Sequence, residues 1–233
     1  CPGFICRLFC QISTCTLSKS ADSKLKPLIF MVATPSTMLK LGTQAPIFSL
    51  PEPKSGTNLT FNHQLTNKGY LIAFICNHCP YVIHLLPKLT ELCNGWTDKG
   101  IQVYFISSND VENYPADSPE LMKELANQYG FKFSYLFDED QSVALSYRAA
   151  CTPDFFLFDS SFALFYRGQF DDSRPGNDLA VDGSHLVHAI DLLLSECPPP
   201  EIQKPSLGCN LKWKPGNEPE YFVPKHKRQE SIN

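Results

Sequence analysis

Two short apolar runs, YLIAFI at 70–75 and IQVYFISS at 101–108, do most to limit what this chain can fold into. Neither alternates polar with apolar residues, so each reads as a strand covered on both faces, as in a parallel core sheet. Between them Val82, Leu85, Leu86, Leu89, Leu92, Cys93 and Trp96 recur at three- and four-residue spacing. That is one face of an amphipathic helix, with Pro87 expected to kink it and Gly95 and Gly100 near its end. A strand, a helix and a second strand in this order form a crossover unit with its strands parallel.

The flanking sequence extends the unit. LGTQAPIFSLPEP and NLTFNHQ predict an N-terminal hairpin. Ser118-Pro119-Glu120 is a capped helix start with proline at the first position. Leu121, Leu125 and Tyr129 give that helix a face, and Gly130 ends it. SYLFDED is a short extended piece leading to a brief helix at 141–148. DFFLFD and ALFYRGQF, joined by Ser160-Ser161, predict an antiparallel hairpin, and Ser184 caps a last helix through HLVHAIDLLLSE. The fold class is α/β: a central mixed sheet flanked by helices, with an N-terminal β-hairpin extension. The core domain is expected over 38–197. Residues 198–233, opening on Pro198-Pro199-Pro200, are expected to wrap the surface or stay mobile, with KHKR (225–228) a solvated end.

Ten cysteines in 233 residues raise the question of a disulfide scaffold, but four of them (Cys1, Cys6, Cys10, Cys15) fall in the first fifteen residues. The other six are thinly spread over a chain long enough to bury a core without staples. Residues 1–37 are read as a non-core extension. Met31 and Met38 offer natural starts, and residues 1–30, with Asp22 their only acid, read as upstream translation or a targeting remnant. The net charge of −4 gives no reason to expect nucleic acid. No apolar run approaches the roughly 18 residues that would span a bilayer. The chain is expected to be soluble and cytoplasmic, with no membrane partner and no cofactor.

The chemistry concentrates at FICNHCPYV (74–82), a C-x-x-C where the first core strand meets the long helix. A thiol at a helix N-terminus faces unpaired amides and the positive end of the dipole, and both favour thiolate. Cys76, read as the residue at the helix entrance, would be the nucleophile, Cys79 one turn inside the resolving thiol, and His78 a nearby cation. Two other readings stand beside this one. The pair is also half a zinc site, with His78, His84, Cys93, Cys151 and Cys209 as further ligands, none at familiar spacing. Two core cysteines without chemistry is the third reading. Farther on, Pro153 in ACTPDFFLFD sits where a proline can bring a loop against a site.

FICNHCPYV, CTPDFFLFD, YRGQFDDSRPG and SLGCNLKW, in this order, resemble a peroxiredoxin-like, thioredoxin-domain family, and LKLGTQAPIFSLPEPKSGTNLTF is similar to the start of the alkyl hydroperoxide reductase/thiol-specific antioxidant group. The resemblance covers about residues 38 to 215. It implies a thioredoxin-like fold with Pro153 in cis facing the Cys76–Cys79 pair, with Thr152 and Pro153 as a substrate-binding surface. Cys151, two residues before Pro153, reads either as a third redox thiol or as a buried structural one. The activity it implies is thiol–disulfide exchange with protein or small-molecule disulfides, supplied by an unidentified electron donor. A thiol peroxidase acting on peroxide is the alternative. The threonine that typical peroxiredoxins carry three residues before the peroxidatic cysteine is missing here, with Ala73 before Cys76 and Cys76 before Cys79. A non-catalytic metal- or partner-binding module is the alternative of another class. Asp171, Asp172 and Arg174 read as a salt-bridged surface loop.

Overall fold

A computed structural model describes residues 33–222. The N-terminal cysteines and KHKR therefore lie outside the described residues. In chain order the elements begin with strands β1 (Thr34–Pro35), β2 (Phe48–Glu52), β3 (Thr57–Phe61) and β4 (Gly69–Phe74). Helix α1 (Pro80–Asp98), β5 (Ile101–Ser107), α2 (Pro119–Tyr129), β6 (Ser134–Phe137) and α3 (Ser142–Ser146) follow. Strands β7 (Cys151–Thr152), β8 (Asp154–Asp159) and β9 (Leu164–Gly168), helix α4 (Ser184–Leu194) and β10 (Leu207–Asn210) complete the series.

The central sheet runs β6-β5-β4-β8-β9, with β4 parallel to β5 and antiparallel to β8. The expected crossover unit and the mixed sheet are both present. Strand pleating sends successive side chains to opposite faces. Leu71, Ala73, Val103, Phe105, Phe155 and Leu157 pack with α1, α2 and α4. Tyr70, Ile72, Phe74, Tyr104, Ile106 and Phe156 meet the β2–β3 hairpin and α3. Both faces are buried, which is why these strands are apolar without alternation.

Helix punctuation is local. Ser118 accepts from the Leu121 amide at the start of α2, Pro119 follows it, and Gly130 closes the helix at φ +68°. Helix α1 continues through Pro87. The start of α4 departs from expectation: Gly183, at φ +70°, is its N-cap, and Ser184 is already helical. The Asp171 carboxylate accepts the Asp182 and Gly183 amides at 2.9 and 2.8 Å, doing the work assigned to the serine.

Strand pairing crosses both expected domain boundaries. β10, inside the segment expected to be a surface wrap, pairs antiparallel with β1 on one side and β7 on the other. Thr34 and Pro35, on the far side of the boundary at 37/38, are thus tied into the described body. Leu211 and Trp213 are buried among the aromatics of the hairpin face. Apolar residues of the tail, rather than its prolines, decide its fate, because burying them offsets the entropy of ordering the segment.

Gly208 shows how closely β10 is applied: a Cβ there would collide with the Thr152 carbonyl. Gly208→Ala should therefore lower unfolding free energy by on the order of 2 kcal/mol, in the upper part of the range for single substitutions. Gly95→Ala, in the last turn of α1 with no heavy atom near its Cβ position, should raise it by about 0.5–1 kcal/mol. Urea titrations of the two variants check both signs.

Candidate active site

Strand β4 carries the chain to the edge of the core, where the Ile75 amide still bonds to the Ile106 carbonyl at 3.0 Å. Cys76, Asn77 and His78 follow as a short bridge, Cys79 is the N-cap of α1, and Pro80 is its first residue. This displaces the expected arrangement. Cys76 lies three residues before the cap, and Cys79 itself stands at the helix entrance. Proline at the first helical position is pre-organised there and costs no hydrogen bond, so Pro80 sets the start.

The bridge is clamped by Asp117, which is completely buried. One carboxylate oxygen accepts the Asn77 amide at 2.8 Å and the His78 amide at 3.4 Å. The other accepts from the Asn109 side chain at 2.8 Å and lies 2.7 Å from His78 Nδ1. That contact raises the His78 pKa above its ordinary value, against a smaller opposing effect of burial. The imidazole also stacks on Tyr114, ring planes 6° apart. Asn77 is held further by the Ala116 carbonyl and the Tyr135 hydroxyl.

Against the two cysteines stands Thr152, joined to Pro153 by a cis peptide bond. Cys76 Sγ is 3.5 Å from the Thr152 hydroxyl. Cys79 Sγ donates to the Thr152 carbonyl at 3.1 Å. A third sulfur completes the cluster: Cys209, on β10, lies 2.9 Å from Cys79 Sγ. The chain thus brings together Cys76, His78, Cys79, Thr152 and Pro153. Cys151 is not one of the group. Its Sγ turns to the Pro153 carbonyl at 3.5 Å, and burial with the Asp154 charge holds its pKa well above the usual range. Neighbours along a strand point to opposite faces, so Thr152 can meet the pair only if Cys151 does not.

The three sulfurs are electrostatically unequal. With Cys79 ionised, Cys209 first and Cys76 second donate to it, and its pKa falls well below the ordinary thiol value. The Val82 amide in the first turn acts in the same direction, without closing a full cap hydrogen bond. Cys76 is pushed well above that value, first by the Cys79 side chain and then by burial and the charge of Asp117. Cys209 is raised by Cys79 and by burial. These contacts favour Cys79, which stands at the helix entrance, over Cys76 as the lower-pKa thiol, where the sequence led to the opposite expectation.

The backbone edge beside Thr152, expected to receive a substrate chain, is covered by the protein's own strand: Cys209 pairs with Thr152 and Asn210 with Cys151. Metal ligation has one opening among the described residues. Cys76, His78 and Asp117 place a ligand atom each within 4.8 Å of one another. Both carboxylate oxygens are already engaged by N–H donors, however, which leaves the acid poorly placed to serve an ion. Asp117, Asn109 and the position of Cys209 were not legible from spacing. SLGCNLKW carries the only local signal, as a motif far from the pair in sequence.

A five-stranded mixed sheet with a C-x-x-C at a strand-to-helix junction, facing a cis-proline, defines a thioredoxin-like fold. The chain belongs to the AhpC/TSA family, whose model matches residues 41–166. It is similar to an uncharacterized conserved protein of Geobacillus kaustophilus, at 48% identity over 80% of this chain and 98% of that one, with a TM-score of 0.77. A thiol:disulfide interchange protein DsbE from Chlorobium tepidum, 22% identical over 67% of this chain and 99% of that one (TM-score 0.53), shares the fold. Thiol-disulfide oxidoreductase ResA of Bacillus thuringiensis is 24% identical over 121 residues, 52% of this chain and 65% of that protein. The chain thus spans just under two thirds of this curated relative.

Two measurements test the electrostatics. Thiolate absorbance followed against pH should show an ionisation well below the usual ~8.5. Cys79→Ser should remove it, and Cys76→Ser should keep it but move it upward. Removal by Cys76→Ser instead would restore the first cysteine as the thiolate. His78, followed by NMR, should titrate above about 6.5, and Asp117→Asn should bring its midpoint down. Because the His78 pKa is raised on folding, the stability it contributes is complete below its unfolded value and is lost as pH rises through the folded one.

Proposed function

We propose that the protein is a thiol–disulfide oxidoreductase that cycles Cys76 and Cys79 between dithiol and disulfide. The observation that carries this reading is a C-x-x-C whose two sulfurs both lie against Thr152, which a cis peptide bond joins to Pro153. Cys79 is stabilised as thiolate at a helix N-terminus, and Cys76, a protonated partner, stands three residues before it against Thr152. The Cys79 thiolate attacks one sulfur of a substrate disulfide; that bond breaks, one thiolate leaves, and a mixed disulfide forms on Cys79. Cys76 then loses its proton toward the His78–Asp117 pair and attacks Cys79 Sγ. The second substrate thiolate leaves and the Cys76–Cys79 disulfide remains. Two electrons have passed to the substrate, and a reducing dithiol, or two thiols in succession, returns the pair to its reduced form.

Burial narrows the substrate. Cys76 and Cys79 are 1% and 0% exposed, and β10 closes the edge beside Thr152. A small disulfide, or one carried on a narrow loop, fits an approach past Asn77 and the part-exposed His78. Peroxide is the weaker reading. The hydroxyl of the peroxiredoxin threonine is replaced by a thiol at position 76. Arg167 is engaged by Asp154 at 3.3 Å, and Arg148 lies over Tyr221. Neither arginine is thereby placed to stabilise charge on a leaving oxygen.

Stopped-flow exchange with a small disulfide should be fast and abolished by Cys79→Ser, whereas Cys76→Ser should still react through Cys79 but no longer form the Cys76–Cys79 disulfide. Hydrogen peroxide should oxidise the reduced protein little faster than an ordinary thiolate at the same pH. A peroxide rate several orders of magnitude above that would overturn the ranking.

A further inference from the structure

We infer that Cys209 is a third redox thiol and that the protein holds a second disulfide, Cys79–Cys209, which fastens strand β10 to the active site. The inference rests on the redox reading of the Cys76–Cys79 pair. Its geometric basis is independent of the C-x-x-C: two sulfurs 130 residues apart in sequence lie 2.9 Å from each other. A disulfide needs ~2.0 Å, so less than one ångström of approach separates contact from bond.

Cys209 is held where it is from both sides. Before it, Leu207 and Gly208 pair with Pro35 and Thr34, and Gly208 lies against the Thr152 carbonyl. After it, Leu211 and Trp213 are buried in the core, and the Lys212 amide and carbonyl bond to the Asn109 side chain and the Asp110 amide at 2.8 Å each. A thiol placed this firmly against an ionisable partner meets the positional demand of exchange.

The step balances without a further oxidant. Starting from the Cys76–Cys79 disulfide, Cys209 loses its proton and its thiolate attacks Cys79 Sγ. The Cys76–Cys79 bond breaks, the Cys79–Cys209 bond forms, and Cys76 leaves as thiolate and takes up a proton. The protein keeps the same two oxidising equivalents, but Cys76 is a free thiol again. The strand covering the Cys151–Thr152 edge is now covalently fixed, so reduction becomes the condition for opening that edge. The alternative is a spectator Cys209 that donates a hydrogen bond to Cys79 and is never oxidised.

Peptide mapping under non-reducing conditions separates the two, using full-length protein treated with oxidised glutathione and alkylated. Cys76→Ser should lose the Cys79 and Cys209 thiols to an internal Cys79–Cys209 bridge. Cys209→Ser and Cys209→Ala should form only Cys76–Cys79, and both should melt cooperatively, which shows that the fold survives. Cys76→Ser protein that keeps glutathione on Cys79 and an alkylatable Cys209 would overturn the inference. A wild-type protein that forms Cys79–Cys209 but never Cys76–Cys79 would instead sink the proposed catalytic pair and leave this inference standing.

Discussion

The carboxylate of Asp117 fixes the geometry of the site. It has no exposure to solvent, yet it gathers the amides of Asn77 and His78, the side chain of Asn109 and one nitrogen of the His78 ring. Burying a carboxylate costs several kcal/mol, and hydrogen bonds to a charged group return about 1.5–3 kcal/mol each. The balance is favourable only while the bridge from β4 to α1 presents both amides to the same oxygen. Asp117 is itself located by the residue after it. Ser118 caps α2 and Pro119 opens it, so a conventional helix start places an unconventional acid. The conformation of the C-x-x-C is thus specified from a different helix.

That dependence explains what could be read from the chain. The core strands were legible because both faces are covered, and 70–75 and 101–108 therefore carry no polar alternation. The start of α2 was legible because its punctuation, Ser-Pro-Glu followed by Gly130, is local. The start of α1 is equally local, and Pro80 announces it, but the first of the two cysteines before it suggests a boundary three residues too early. Asp117 was not legible: an acid one residue before a cap has no pattern of its own, and its meaning lies in two amides far back along the chain, at Asn77 and His78.

The tail illustrates a different limit. Seven prolines between 198 and 224 read as an unstructured wrap, and composition alone supports that. Order comes instead from contacts that composition does not register. Gln141, in the left-handed region at φ +65° and fully buried, donates to the Ser108 and Lys212 carbonyls and accepts the Lys214 amide. One side chain thereby joins the end of β5 to the segment after β10. With Trp213 packed nearby, the chain cannot leave the site without exposing aromatic surface, and so Cys209 stays beside Cys79.

Three thiols around one negative charge also impose an order on the chemistry. While Cys79 is a thiolate, it holds the protons of its neighbours in place: its side chain is the first cause of the raised pKa of both Cys76 and Cys209. Neither neighbour can compete as a nucleophile in the reduced state. Once Cys79 is bonded to another sulfur the charge is gone, and with it the strongest influence holding the other two thiols protonated. Burial still opposes their ionisation, but for Cys209 the nearby Lys212 charge acts in favour. In the proposed cycle, oxidation of Cys79 would thus make its neighbours more reactive, and resolution would follow attack because attack removes the charge that opposes it.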